Sequence, residues 1–244
     1  MKLSIVIPSY NGVDKLPQLI GKIHKSLSAN MDYKDFEIII ADDGSLIKPT
    51  EIINSFRIFG MIVEGVFLKK NYGQQFATFA GLRVSKGEYV LTVDDDLSHK
   101  PEDFKKLLHI IEKDNFDVVF GVPLYSNYGI LRQIGSGFRD LIFNIFFKLP
   151  RDLNVSSFRI LNRSLVDKII SDIAEYRYLS VEILKHTSAI GNIDVEYNRG
   201  SETNSRYNLF KLVFLVFSLI RCSRIFPERI RKSGIASNME WDLI

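Results

Sequence analysis

The chain has 244 residues, 46% of them hydrophobic and 25% charged, with a formal net charge of +3. That is enough apolar length for one core in a domain of roughly 200–250 residues, and it excludes disordered, collagen-like and disulfide-stapled chains. The lone Cys222 allows no intramolecular disulfide and no cysteine-based metal site, which suits a reducing compartment. From Met1 the sequence runs straight into a strand-like pattern without a signal-peptide apolar stretch, so a cytoplasmic chain is expected.

In chain order, short β-branched runs alternate with helix-length segments. The runs are Leu3–Ile7, Phe36–Ala41, Met61–Leu68, Tyr89–Val93 and Asp117–Phe120. Between them, 13–29, 49–59, 73–85 and 101–113 carry apolar residues at helical spacing. The pattern predicts an α/β fold: a mostly parallel central sheet with near-continuous apolar strands, covered by helices on both faces. Such sheets bind ligands in the loops that leave the carboxyl ends of their strands.

Those loops carry the chemistry. Pro8-Ser9-Tyr10-Asn11-Gly12 follows the first strand, and no strand-to-helix junction carries G-x-G-x-x-G or a P-loop, which argues against a dinucleotide fold and a P-loop NTPase. Ala41-Asp42-Asp43-Gly44-Ser45 follows the second strand and Val93-Asp94-Asp95-Asp96-Leu97 the fourth. Three adjacent aspartates at the end of a buried strand repel one another and lose hydration, which calls for a cation. Mg²⁺ or Mn²⁺ fits: each takes a few carboxylates, phosphate oxygens and water, and so implies a pyrophosphate-bearing substrate. Strand alternation points Asp94 and Asp96 the same way and Asp95 opposite, unless the strand has already ended. The competing readings are a helix cap within the trio and a plain turn at Asp42-Asp43-Gly44-Ser45.

The stretches IVIPSYNG, IIIADDGS, LKKNYGQQFATFAGL and GEYVLTVDDDLSHKPEDF, in this order and spacing, resemble family 2 glycosyltransferases of the GT-A fold. The third and fourth resemble its polyprenyl-phosphate branch, to which the dolichol-phosphate mannosyltransferases belong. The likeness covers residues 3–120 well and continues more loosely to about 212. It implies that Pro8 and Tyr10 line the nucleotide base and ribose and that Asp43 accepts a hydrogen bond from one of them. Gly73 and Gln74 would approach the donor phosphates. Asp94 and Asp96 would form the D-x-D pair that holds the metal, Asp96 the firmer ligand, with Asp94 and Asp95 also counted in the nucleotide-sugar pocket. Family members in this branch usually carry Glu where Gly12 stands, a departure that leaves the donor's identity open.

The second half bears on the acceptor. Asn127–Arg139 is Gly-rich, and Arg132 and Arg139, seven apart, share a face if the segment is helical. Two guanidiniums so placed can hold a phosphate, or they are surface arginines. Asp152–Arg159 is similar to the family's D-x-x-S-G-F-R segment, with Ser157 where Gly is usual. Arg199–Tyr207 is similar to the branch's R-x-x-G-x-S-K-Y loop, one residue longer. Arg132, Arg139 and Arg199 are therefore expected to orient a lipid phosphate, and Asp152 to serve as general base if the acceptor is a hydroxyl. His99 beside the aspartates is expected to face solvent, and His24, His109 and His186 read as surface or packing residues. No Ser-His-Asp order and no H-E-x-x-H supports a hydrolase.

Charge is uneven along the chain. Residues 199–232 hold eight Lys/Arg against Glu202 and Glu228, a local +6, so the remainder carries −3. A basic end suggests an anionic partner. Nucleic acid is set aside because it leaves the aspartate trio unexplained. Leu212–Ile220, nine residues between Lys211 and Arg221, is too short to span a membrane, as is Leu141–Phe147 between Arg139 and Lys148. Phe-rich segments with basic rims suit C-terminal amphipathic helices lying on the inner face of a membrane, or equally helices buried in the core. The expected organisation is a catalytic domain over 1–207, with a nucleotide-sugar half (1–120) and an acceptor half (121–207), followed by a basic amphipathic segment, 208–244. The expected reaction is inverting transfer of a sugar from a nucleoside-diphosphate sugar to a polyprenyl phosphate, or alternatively to a sugar hydroxyl of a lipid-linked glycan in cell-surface polysaccharide synthesis.

Overall fold

The computed structural model of the chain describes residues 1–29, 32, 34–123, 153–172, 178–196 and 241–243. The first half alternates as expected: β1 (Leu3–Ser9), α1 (Leu16–Ser28), β2 (Phe36–Asp42), α2 (Thr50–Ile58), β3 (Val63–Leu68), α3 (Gln74–Val84), β4 (Tyr89–Thr92), α4 (Pro101–Asp114) and β5 (Val118–Pro123). Then follow β6 (Arg159–Asn162), α5 (Arg163–Asp172), α6 (Leu179–His186), β7 (Ile190–Val195) and β8 (Trp241–Leu243).

The strands form one sheet in the order β7-β5-β6-β4-β1-β2-β3-β8. It is mostly parallel; only β6 and β8 run against their neighbours. β1 lies at the centre of the parallel part, with Leu3 level with Phe36 of β2 and Tyr89 of β4. At its other end Ser9 stands level with Asp42, so the loops after β1, β2 and β4 leave from one edge. β6 intervenes between β4 and β5 and pairs antiparallel with both. β8 comes from the expected C-terminal segment and pairs with the outer edge of β3.

Both faces of the sheet are covered because its strands alternate apolar residues to each. Leu3, Ile5 and Ile7 of β1 face one way, into a core with Leu16, Leu19, Ile20, Ile23 and Leu27 of α1, Ile53 of α2, and Phe104, Leu107 and Ile111 of α4. Val6 faces the other, where Phe76, Ala77, Phe79 and Ala80 of α3 pack with Leu165, Val166 and Ile169 of α5 and Val181 of α6. Each large apolar side chain buried this way contributes about 1.5–3 kcal/mol. α4 has Pro101 in its first turn with Glu102 and Asp103 near its positive end, and it stops at Asn115, left-handed at φ 52°. α3 presses closest to the sheet: a Cβ on Gly81 would lie 2.3 Å from Val6 Cγ1.

Among the described residues no helix is long and apolar enough to cross a membrane.

Candidate active site

The loop after β2 is both a turn and a clasp. Asp42 closes the turn, its Oδ1 accepting the Ser45 hydroxyl at 2.5 Å and its Oδ2 the Ser45 amide at 3.0 Å. Asp43, only 3% exposed, reaches away from the turn to accept the amides of Tyr72 at 2.8 Å and Gly73 at 2.9 Å. Burial raises the Asp43 pKa above the ordinary carboxylate value and Asp42's charge adds to that, while the two amides pull it down. Between the two aspartates' partners, Gly44 sits at φ 72°, and a Cβ there would fall 2.4 Å from the backbone carbon of Lys70. Glycine is needed on both counts. Asn11 ties the β1 loop in as well, its amide donating to Ser45 Oγ at 2.8 Å and its Oδ1 accepting the Leu46 amide at 3.2 Å.

β4 ends at Thr92, so the three aspartates leave the sheet on a loop and strand alternation no longer governs them. They face different neighbours. Asp94 accepts Gln74 Nε2 at 2.5 Å and Ser157 Oγ at 2.7 Å, which puts it between the start of α3 and the approach to β6. Asp95 accepts the hydroxyl of Ser9, at the end of β1, at 2.6 Å. Asp96 accepts the amide of Ser98 at 3.0 Å across a turn that passes through Leu97 at φ 61°.

The cluster carries the electrostatic stress expected of it. Burial pushes the Asp94 carboxyl up and Asp96's charge adds to it, against the bonds from Ser157 and Gln74 and the charge of Arg159. Burial likewise raises Asp95, opposed by the Ser9 bond and by Lys15. Arg159, at the start of β6, is 3% exposed; its guanidinium donates to Ser180 Oγ at 2.7 Å and to Thr92 Oγ1 at 3.3 Å. Burial lowers its pKa to about 10, which still leaves it a cation at neutral pH.

Several residues named from the sequence are therefore brought together. Asp43 meets Gly73, Gln74 meets Asp94, and Gly12 lies against Asp95. Pro8 is buried at the end of β1, and Tyr10 beside it is 50% exposed. Arg132, Arg139, Asp152 and Arg199 lie outside the described residues, as does residues 208–240 of the basic segment. The expectation for His99 is corrected: it is 2% exposed and stacks on Phe158 with ring centroids 4.3 Å apart, because the loop folds it under rather than outward.

Sequence reasoning did not single out Ser9, Ser157 or Arg159 as parts of the aspartate cluster. The signal lay in the quoted stretches, since Ser9 precedes Tyr10 and both Ser157 and Arg159 fall in Asp152–Arg159. It also missed a charged group where α5 and α6 end: Asp172, Glu182 and His186 each bring an atom within 4.8 Å of the others, and Lys185 pairs with Glu182 at 3.0 Å.

Residues 4–187 match the model of the family described as glycosyl transferase family 2. The chain belongs to that family. This glycosyltransferase is 28% identical over 236 residues to an undecaprenyl-phosphate 4-deoxy-4-formamido-L-arabinose transferase of Yersinia pestis (strain Pestoides F), an alignment covering 94% of the chain and 69% of the relative. Among solved structures it resembles S. aureus TarS 1-349 in complex with UDP-GlcNAc, with a TM-score of 0.61 and 19% identity over 94% of this chain and 69% of that one. It also resembles glucosyl-3-phosphoglycerate synthase of Mycobacterium tuberculosis in complex with Mn²⁺ and UDP-glucose, with a TM-score of 0.62 and 16% identity over 90% and 77% of the two chains. These likenesses establish the GT-A fold of the glycosyltransferase, an α/β sheet flanked by helices.

Proposed function

We propose that this glycosyltransferase moves a sugar, with inversion, from a nucleoside-diphosphate sugar to a polyprenyl phosphate. The observation that carries the donor half is the convergence of Asp43, Asp94, Asp95 and Asp96 on one edge of the sheet, beside the glycine-bearing loop at 73 and the start of α3. The acceptor half is supported by the relative's action on undecaprenyl phosphate.

The residues suit a hard divalent cation. Asp94 and Asp96 offer carboxylate oxygens only, and desolvation, with the charge of Asp96 added, raises the pKa of the part-buried Asp94, a strain that a cation relieves. We assign Mg²⁺ or Mn²⁺ to Asp94 and Asp96. Bound there, the ion would neutralise the charge that develops on the departing diphosphate.

The chain's own residues do the rest. The Pro8–Gly12 loop and Asp43 form the nucleotide's berth, and Gln74 and Ser157 hold the Asp94 carboxylate in one orientation. A phosphate oxygen of the acceptor attacks the anomeric carbon as its bond to the diphosphate oxygen breaks, and the nucleoside diphosphate leaves with that electron pair. A phosphate monoester with a second pKa of about 6 is mostly ionised at neutral pH, so no proton has to be removed from it. Arg132, Arg139 and Arg199 are assigned to hold it in line. If the acceptor were instead a hydroxyl of a lipid-linked glycan, Asp152 would be the base. The attachment we propose is peripheral, on the inner membrane face.

Asp96→Asn tests the cation. It should abolish turnover and the Mn²⁺-dependent part of donor binding while the protein still melts cooperatively, since removing a like charge relieves repulsion. Full activity of Asp96→Asn, or of the wild type in excess chelator, would contradict the assignment.

A further inference from the structure

Gly12 is glycine for want of space. Its φ lies outside the left-handed range, yet a Cβ built on it would stand 2.3 Å from Ser9 Oγ and 2.5 Å from Asp95 Oδ2. Those two atoms are themselves joined by the 2.6 Å hydrogen bond from Ser9 to Asp95. Residue 12 thus lies directly over a bond between the end of β1 and the aspartate loop after β4.

The backbone around it has little room to yield. On the α1 side, the Gly12 carbonyl accepts the amides of Lys15 at 2.9 Å and Leu16 at 3.2 Å, in the first turn of the helix. On the other side, Asn11 is held to the β2 loop by its bonds with Ser45 and Leu46 and sits at φ 53°. A side chain at position 12 must therefore displace the Ser9 hydroxyl or the Asp95 carboxylate. Asp95 is already committed on this side: it is bonded to Ser9 and attracted by Lys15, whereas Asp94 turns toward Gln74 and Ser157.

We propose that Ser9, Gly12 and Asp95 form an interlock that sets the height of the Pro8–Gly12 loop over the aspartate cluster. Asp95 is then a positioning residue, and the cation is left to its neighbours. The inference rests on the donor reading above and deepens it: the loop that berths the nucleotide and the carboxylates that meet its diphosphate are kept in register by one charge-assisted hydrogen bond. Any side chain at position 12 is incompatible with that bond as it stands. Gly12 and Asp95 therefore belong together as one arrangement of this pocket.

The test is calorimetry on the full chain with UDP, GDP and dTDP, each alone and with Mn²⁺, for the wild type, Ser9→Ala, Gly12→Ala, Ser9→Ala/Gly12→Ala and Asp95→Asn. Whichever diphosphate the wild type binds should bind about tenfold more weakly to Ser9→Ala and to Gly12→Ala, the size expected for losing a hydrogen bond to a charged group. The double variant should be no weaker than the worse single one, because both substitutions break the same bond. Asp95→Asn keeps an oxygen for the Ser9 hydroxyl but loses its charge, so it should weaken binding less than Ser9→Ala does, with its Mn²⁺ enhancement intact. Thermal melts accompany each titration; if Gly12→Ala does not fold, Ser9→Ala and Asp95→Asn decide. Unchanged affinity in Ser9→Ala, multiplicative losses in the double variant, or loss of the Mn²⁺ enhancement in Asp95→Asn would each overturn the interlock and leave the donor reading in place. A wild type that binds none of the three diphosphates would overturn both.

Discussion

Burial of the His99 imidazole against Phe158 gives the fold a pH dependence of its own. Desolvation lowers its pKa from 6.5 to about 4, despite the pull of Asp96 and Asp103 in the other direction. The unfolded chain therefore takes up a proton near pH 6.5 that the folded chain refuses until about pH 4. Stability is lost across that window as pH falls. Between pH 7 and pH 5 this one residue should cost on the order of 2 kcal/mol. Urea denaturation at the two pH values should show His99→Gln losing less on acidification than the wild type by about that amount; equal losses would mean that His99 is solvated. Position in the chain gave no sign of this burial, because it depends on Phe158, far downstream. The same distance hid the partners of Asp43 and Asp94. The sequence marks these aspartates by their crowding, but which donor each one meets is settled by residues that only the folded sheet brings near.

At the scale of elements, β1 to β5 and α1 to α4 could be read from sequence because each strand is an apolar run and each helix repeats apolar residues at helical spacing. β6 could not, since Arg159–Asn162 is four residues with a charged residue first and a polar one last. It is a strand because β4 and β5 supply pairing on both of its edges. The buried Arg159 belongs to the same lesson: in sequence it only ends the Asp152–Arg159 segment, and in the sheet it is the countercharge beside Asp94. The loop after β2 carries a direct test of how tightly these elements are joined. Gly44→Ala demands a left-handed alanine and a Cβ in collision with the backbone of residues 70 and 71. It should destabilise the fold by about 2 kcal/mol or more and weaken nucleoside diphosphate binding with it. Chemical denaturation and calorimetry on the same sample check both; a wild-type midpoint would mean that the 70–73 loop is not clasped.

For the whole molecule, the question is how a lipid-borne acceptor reaches a site at the edge of a sheet. The means we propose is the basic, apolar stretch at 208–232: Phe214, Leu215 and Phe217 would add apolar burial, and Arg221, Arg224, Arg229, Arg231 and Lys232 attraction to anionic lipid. At about 1 kcal/mol for each basic residue near such a surface, binding should be strong at low ionic strength and fall steeply with salt. Sedimentation with anionic vesicles over a salt series should give that profile, and no pelleting at low salt would count against membrane attachment.

The central claim is the transfer itself. It is tested most directly by incubating the full chain with labelled UDP-, GDP- or dTDP-sugars, Mg²⁺ or Mn²⁺, and undecaprenyl phosphate in detergent, then extracting the lipid. The account predicts label in a lipid-linked sugar phosphate with one of the donors, only when the lipid phosphate is present, and lost in Asp96→Asn. Label that enters a glycan hydroxyl instead, or transfer that proceeds equally without the lipid phosphate, would contradict it.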